Sequence, residues 1–215
     1  MLMPIVVLWM KRAGLAIAAI LVLVSLAPAQ DDEGHFDVGL GYTGVFSKTS
    51  SASLGNTTLK PTSSGGVLAS FRYRFNHTHG IAVNFGHTNN SQIFTVPPDT
   101  LRVGTGITEF TGAYVFSPFH DKRIDPFFLA GAGMLRFNPG NQYIDGFQSS
   151  FGAQPQTSLT FLYGGGADYR LWKALALRVQ YRGLVYKVPD FKVPALFLGA
   201  YGRMAEPSVG VVFKF

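Results

Sequence analysis

The sequence predicts an all-β fold, namely an eight-stranded antiparallel up-and-down transmembrane β-barrel preceded by a cleaved signal peptide. Three observations support this prediction. Apolar and polar residues alternate with period two over eight runs of about ten residues. No stretch after residue 30 is apolar for long enough to form a membrane-spanning helix. Long and short connections alternate between the eight runs, which is typical of a barrel with loops at one end and turns at the other.

The composition is unusual for a soluble enzyme. Of the 215 residues, 47% are hydrophobic and only 14% are charged, whereas about a quarter of a typical soluble protein is charged. The formal net charge is +6, and without the basic pair at residues 11–12 it falls to +4. A charge this small does not favour nucleic acid as a partner. The absence of cysteine excludes a disulfide, a thiolate nucleophile and a zinc-thiolate site.

Residues 1–29 have the pattern of a secretory signal peptide. A basic pair precedes an apolar run over residues 13–26, and Ala27-Pro28-Ala29 matches the small-residue signal for cleavage. The apolar run is short for a membrane-spanning helix, which needs about 20 residues. We therefore predict export from the cytoplasm, cleavage after Ala29 and a barrel domain over residues 30–215. The sequence leaves open whether translation starts at the first methionine or at Met10.

Each of the eight runs carries bulky apolar side chains on one face and small or polar ones on the other. In chain order, the apolar faces consist of Phe36, Val38, Leu40, Tyr42 and Phe46; Val67, Ala69, Phe71, Tyr73 and Phe75; Ile81, Val83 and Phe85; Phe110, Tyr114 and Phe116; Phe127, Leu129, Leu135 and Phe137; Leu159, Phe161, Tyr163, Ala167 and Tyr169; Leu175, Leu177, Val179, Tyr181 and Val185; and Val209, Val211, Phe213 and Phe215. In a membrane barrel this face meets lipid, whereas in a soluble sandwich or lipocalin it faces the core.

The connections and the aromatic residues favour the membrane alternative. Long connections are predicted at residues 47–63, 88–104, 138–156 and 186–203, and short ones at residues 76–80, 117–125 and 172–173. Outer-membrane barrels place long loops outside the cell and short turns in the periplasm. Aromatic residues also concentrate at the ends of the runs, as expected where an apolar band meets lipid headgroups.

The carboxyl-terminal segment VGVVFKF, which ends on Phe215, gives the pattern a more specific likeness. Together with the signal peptide and eight strands, it resembles the small outer-membrane barrels of Gram-negative bacteria, namely the OmpA-like amino-terminal barrel and porin-like outer membrane protein beta-barrel families. The segments PFFLAGAGMLRF (126–137) and YGGGADYRL (163–171) are similar to the Gly-rich central strands of these families.

The resemblance implies an outer-membrane location and a role for Phe215 as the signal read by the barrel-assembly machinery. Outer-membrane lipid and lipopolysaccharide are the expected surroundings, and Lys187, Lys192 and Arg203 of the last connection are candidates to contact lipopolysaccharide phosphates. Tethering to the cell wall is not expected, because the periplasmic domain of OmpA proteins has no counterpart after Phe215.

The polar faces of the runs predict a charged barrel interior. The predicted network consists of Arg72, Arg74, Glu109, Arg136, Asp168, Arg170, Arg178 and Arg182, with Asp37 and Lys214 on the same faces. The interior of an eight-stranded barrel is only wide enough for side chains to fill it. We therefore expect a plug of ion pairs around Glu109 and Asp168, with each acid serving more than one arginine. The alternative is a narrow, arginine-lined channel.

No catalytic, cofactor or metal site is predicted. His77 and His79 form an H-x-H pair in a turn, without a nearby acid or cysteine to complete a metal site. His87 is followed by Asn89 at the position where lipid A deacylase barrels need a serine nucleophile. The string Gly164-Gly165-Gly166 lies inside a strand, so it indicates close backbone packing rather than a phosphate loop.

The sequence therefore predicts a non-enzymatic integral outer-membrane barrel with a structural or surface-interaction role carried by four long extracellular loops. A small porin-like channel with an arginine-rich lumen is the main alternative. A lipid-modifying barrel enzyme and a soluble lipocalin-like binder are the remaining ones.

Overall fold

The structure, a computed structural model, describes residues 35–52, 57–119 and 123–215, so the predicted signal peptide lies outside the described residues. Eleven strands are present among them: β1 (Phe36–Ser47), β2 (Ser50–Ser51), β3 (Thr58–Pro61), β4 (Ser64–Arg74), β5 (His79–Val96), β6 (Asp99–Phe116), β7 (Ile124–Ile144), β8 (Phe147–Gln148), β9 (Gln156–Trp172), β10 (Leu175–Lys187) and β11 (Tyr201–Lys214). A 3-10 turn lies at Pro194–Leu196. Within the described ranges, no helix has the length and apolarity to cross a bilayer.

Eight long strands close into an antiparallel barrel. Their order is β5-β4-β1-β11-β10-β9-β7-β6, and β6 pairs with β5 to complete the ring. The first and last strands are neighbours, with Val38 opposite Phe213 and Leu40 opposite Val211. The short strands β3 and β8 pair with β5 and β7, and β2 pairs with β3. Closure leaves the eight-stranded ring without an open edge, and the predicted fold class is confirmed.

Bulky apolar side chains face away from the barrel axis. Phe71 and Tyr163 are 45% and 44% exposed, whereas Arg178 and Asp168 on neighbouring strands are 4% and 1% exposed. A soluble sandwich or lipocalin requires the reverse, with apolar side chains in the core and charges in water. The outer wall is therefore suited to hydrocarbon and the interior to polar side chains, as in a barrel that crosses a membrane.

The two faces of β7 are the opposite of those that the sequence pattern predicts. Phe127 and Leu129 were expected on the lipid side, but they are 1% and 6% exposed and point into the barrel, while Phe128 is 60% exposed. Bulky residues stand on both faces of this strand, so alternation alone could not orient it. The neighbouring strand supplies the physical reason. Phe127 and Leu129 lie directly opposite Gly166 and Gly164 of β9, whose missing side chains leave interior space for the two apolar groups.

The connections differ between the two ends of the barrel. At the turn end, defined by residues 75–78 and 173–174, the connections are short, as predicted. At the hairpin end, defined by the turn at Pro97–Pro98, the predicted loop over residues 88–104 is wrong, because β5 and β6 continue as strands of 18 residues each. The polar segment around Asn90 resembles a loop in composition. Its alternation nevertheless continues, with every second side chain buried.

β7 also runs further than expected, to Ile144, so the third predicted loop shortens to residues 145–155. The first and last connections, residues 48–63 and 188–200, remain long. The second predicted loop is therefore an extended two-stranded hairpin, while the first contains the short strands β2 and β3 and the third contains β8.

An apolar plug fills the barrel at the hairpin end. It consists of Leu59, Phe94, Ile107, Leu135, Phe137, Leu162, Leu184, Tyr186, Phe191, Leu196 and Leu198, all of them buried. The connection over residues 188–200 contributes Phe191, whose ring meets that of Phe94 edge-on at 6.2 Å between centroids. The Gln156 side-chain oxygen accepts the backbone N–H groups of Asp190 and Phe191 at 3.0 and 2.9 Å. This connection is therefore folded into the barrel.

Candidate functional site

The charged side chains of the interior form two clusters. The first, the turn-end cluster, consists of Asp37, Arg72, Arg74, Asp125, Asp168, Arg178 and Lys214. Its centre is a two-pronged ion pair, because Arg178 donates from Nε and Nη2 to the two oxygens of Asp168 at 2.7 and 2.8 Å. The residues lie directly opposite each other on β10 and β9, so the strand register alone brings them together. Bidentate pairs of this kind are among the strongest hydrogen-bonded contacts.

Asp37 joins further arginines to this centre. Its Oδ2 accepts hydrogen bonds from Arg74 at 3.0 Å and from Arg178 at 3.3 Å. Lys214 donates to Asp125 at 2.8 Å and lies 3.4 Å from Asp168. Each of these carboxylates is thus shared among several cations, which offsets the cost of removing the charges from water.

Arg72 contacts an aromatic ring more closely than Arg178 does, whose guanidinium lies 5.3 Å from the centroid of the same ring. The Arg72 guanidinium lies 4.1 Å from the ring centroid of Phe127, within the range of a cation–π contact. Its nearest carboxylate oxygens, on Asp37 and Asp168, are 3.9 and 3.8 Å away. Because Phe127 points into the barrel, its ring packs against the guanidinium of Arg72 in the turn-end cluster.

The second group, the central cluster, lies further towards the hairpin end. Arg182 donates from Nη1 and Nη2 to the two oxygens of Glu109 at 2.9 and 2.7 Å, and its Nη2 also donates to Glu206. Thr111 donates to Glu109 at 2.7 Å. Arg182 is completely buried. It connects Glu206, which lies opposite it on β11, with Glu109 on β6 across the barrel. This cluster therefore ties opposite walls together.

Of the eight predicted interior residues, six lie in these clusters, namely Arg72, Arg74, Glu109, Asp168, Arg178 and Arg182. Arg170 lies at the turn end with its side chain 31% exposed, 3.9 Å from Asp125. Arg136 is a correction, because it is exposed on the outer wall, where its Nε donates to Asn138 at 3.2 Å. Arg136 lies on the outer face because both faces of β7 are the opposite of those predicted.

Two charged members of the clusters were missed by the sequence analysis. Glu206 lies between the predicted connection 186–203 and the last apolar run and was given no role, and Asp125 is the last residue of the predicted short connection 117–125. The alternation of the last strand, continued backwards from Lys214 in steps of two, would have placed Glu206 on the inner face. Asp125 lies two residues before Phe127, so it could be assigned only once the orientation of β7 was known.

A cavity of about 20 Å³ lies between the strands that carry the two clusters. Four polar side chains line it, those of Ser70, Arg178, Gln180 and Ser208, together with the glycine backbones of β1 and β11. A space of this size and polarity suits about one water molecule. The rest of the lining is formed by the aliphatic side chains Leu40, Leu68, Val209, Val211 and Val212, so the interior leaves little space beyond that of one water molecule.

The candidate histidines have ordinary partners. The Nδ1 atom of His79 forms a hydrogen bond with the hydroxyl of Tyr114, and that of His87 lies 3.2 Å from the Thr108 hydroxyl on the exposed outer wall. Across the described residues, no group of three or more metal-binding side chains occurs. Close backbone approach explains the glycine string, because a Cβ on Gly165 would lie 2.9 Å from the carbonyl oxygen of Phe127.

A comparison of the sequence with known protein families agrees with this architecture. The profile of the family described as "Outer membrane protein beta-barrel domain" matches residues 15–215. The chain belongs to this family. It is therefore an outer-membrane protein whose strands cross the membrane, and the predicted family and location are confirmed. A search of curated proteins gave no significant match.

Solved structures of small outer-membrane barrels share the fold. The surface protein A of Neisseria is 18% identical, with a TM-score of 0.57 over 84% of this chain and 97% of that one. The attachment invasion locus protein Ail of Yersinia pestis is 17% identical (TM-score 0.53, 85% and 99% covered). OprG of Pseudomonas aeruginosa is 15% identical (TM-score 0.53, 85% and 96% covered). At these identities the likeness shows a common architecture.

Proposed function

We propose that this protein is a non-enzymatic outer-membrane barrel whose filled wall anchors a cationic surface at the hairpin end, and that this surface contacts anionic molecules outside the cell. The observation that carries the proposal is the contrast between the charged residues inside the barrel and those exposed at its hairpin end. Interior cations are matched to carboxylates, whereas the basic residues at the hairpin end are exposed and outnumber the acidic ones.

The filled interior favours a barrel that does not conduct over a porin-like channel. The central cluster spans the lumen between β10 and β6, and the apolar plug lies above it towards the hairpin end. An ion would have to leave water, pass fixed charges and then cross a fully buried apolar layer. The porin-like alternative would require this plug to move.

The hairpin end offers an accessible charged surface. Among the described residues of this end, seven basic ones are exposed, namely Lys48, Lys60, Arg102, Arg136, Lys187, Lys192 and Arg203, against the exposed Asp99 and Asp145 and the half-buried Asp190. In outer-membrane barrels the longer connections face outwards from the cell. The Ail protein of similar fold was solved in complex with the heparin analogue sucrose octasulfate. Anionic saccharides and phosphorylated lipids are the molecules that such a surface would attract.

Two measurements on purified protein test the proposal. In planar bilayers we expect no stable open conductance, because the interior is filled, and a steady channel would contradict the proposal. In nanodiscs of neutral lipid we expect binding to immobilised heparin that weakens as salt rises, because exposed charges are screened. The test variant has Lys60 and Lys192 changed to glutamine. We expect it to elute from heparin at lower salt than the wild type. Elution of wild type and variant at the same salt would argue against the cationic surface.

A further inference from the structure

Three basic residues gather on the outer wall at the hairpin end of neighbouring strands β1, β11 and β10. These residues, the basic triad, are Lys48, Arg203 and Lys187, and all three are exposed. The backbone N–H of Lys48 donates to the carbonyl oxygen of Arg203 at 2.9 Å, so these two residues face each other across the strand pair. Arg203 is also opposite Val185, two residues before Lys187. The triad therefore occupies one patch three strands wide.

The triad is electrostatically uncompensated. Within the residues that the structure describes, none of its three side chains lies within ion-pair distance of a carboxylate. Like charges directly opposite each other destabilise a strand pair. The cations of the interior, by contrast, are placed next to acids. An uncompensated cationic pair on an otherwise well-paired sheet indicates that an anion from outside completes it.

The residues around the triad indicate which kind of molecule bears this anionic group. Towards the turn end, the same outer wall continues with Phe46, which is 52% exposed, then Val185, and then Tyr181, which is 50% exposed. These side chains belong to the lipid-facing apolar band. The triad therefore stands at the border of that band, where the phosphates of membrane lipids lie. An anion with attached acyl chains fits both parts of the surface.

We propose that the basic triad binds a phosphate group of a phosphorylated glycolipid in the outer leaflet, and that the acyl chains of this lipid lie along Phe46, Val185 and Tyr181. The proposal rests on the proposed function only in placing the hairpin end outside the cell. Lys and Arg donate charge-assisted hydrogen bonds to phosphate oxygens, and the directly opposite pair, Lys48 and Arg203, provides the centre of the site.

The test compares two double variants of equal charge. Lys48→Gln with Arg203→Gln removes the centre of the triad, whereas Arg123→Gln with Lys173→Gln removes two exposed cations at the turn end, outside the cationic surface. Native mass spectrometry of each barrel, with diphosphorylated lipid A as the probe, measures the retained lipid. We expect the first variant to lose affinity roughly 25-fold, about fivefold per cation near an anionic lipid surface. The second should lose no more than about twofold, since its cations lie away from the site.

Two further arms identify what is bound. Dephosphorylated lipid A should not be retained, and inorganic pyrophosphate should fail to displace the lipid, because it lacks acyl chains. Equal losses in the two double variants would show diffuse attraction and overturn the proposal, as would an unchanged affinity of Lys48→Gln with Arg203→Gln. Displacement by pyrophosphate would also count against a lipid site. The filled wall is judged separately by conductance, so the two proposals fail on different measurements.

Discussion

At the scale of single residues, strand register decides which charges meet inside the barrel. Asp168 lies directly opposite Arg178, and Glu206 lies directly opposite Arg182. In each case the cross-strand pair provides the first contact, and a residue from another strand completes it, as Glu109 does for Arg182. Burial makes this pairing obligatory, because an isolated charge inside the barrel costs several kcal/mol.

The change Arg182→Met tests this dependence. It leaves Glu109 and Glu206 buried without their shared cation, and we expect a loss of about 3–5 kcal/mol in the free energy of unfolding. Urea unfolding of the barrel in detergent micelles, followed by fluorescence, measures the loss. The matched control is Arg136→Met on the outer wall, with an expected change within about 0.5 kcal/mol.

Adding Glu206→Gln to Arg182→Met should restore part of the lost free energy, because it removes one of the two uncompensated carboxylates. If Arg182→Met were no more destabilising than Arg136→Met, the central cluster would not be a stabilising contact.

At the scale of elements, β7 shows the limit of reading a strand from its own sequence. Phe127 and Phe128 are adjacent, so one bulky ring must face each side whatever the orientation. The choice depends on the partner strand, where Gly164 and Gly166 leave space inside. The consequence reaches two other residues, since Arg136 faces outwards and Asp125 joins the turn-end cluster.

Single cysteines placed in this naturally cysteine-free chain test the orientation of β7. We expect Ala130→Cys to react with a membrane-soluble maleimide in nanodiscs, because this position is exposed on the lipid side. Leu129→Cys should react only after unfolding, because that position is 6% exposed and points inwards. Mass spectrometry of the labelled chain measures both. The reverse reactivity would restore the orientation that the sequence pattern predicted.

At the scale of the whole molecule, the barrel is held by non-local pairing, since β1 closes on β11 at the far end of the chain. Such a topology pays loop-closure entropy before its contacts form. Insertion assisted by the barrel-assembly machinery would reduce this difficulty, and we propose that Phe215 is the residue this machinery reads. β11 itself ends one residue earlier, at Lys214.

Deletion of Phe215 separates assembly from stability. In cells we expect a clear fall in the amount of folded barrel in the outer membrane, measured by the shift of the unboiled band on gel electrophoresis. In detergent the same variant should refold and unfold like wild type, because Phe215 lies beyond the last strand pair. Unchanged assembly in cells would refute the role of Phe215, and a large loss of stability in detergent would assign it a structural role instead.

The class of fold, the number of long strands and most of the inward charges could be predicted from the sequence, because a period of two in side-chain direction is a local property of extended backbone. The polar composition of the segment around Asn90 led to the wrong prediction of a loop. A strand that does not contact lipid needs no apolar outer face, so polar residues do not exclude extended structure. Turns of few residues at the other end were predicted correctly, since Gly and polar residues there coincide with breaks in the alternation.

Four features became known only from the folded structure: the orientation of β7, the inward position of Asp125 that follows from it, the filling of the hairpin end by residues 188–200 and the arrangement of the basic triad. Each of these depends on which residue of a distant strand lies opposite. Register and closure are set by the sum of contacts around the ring, so no single segment of the sequence contains them.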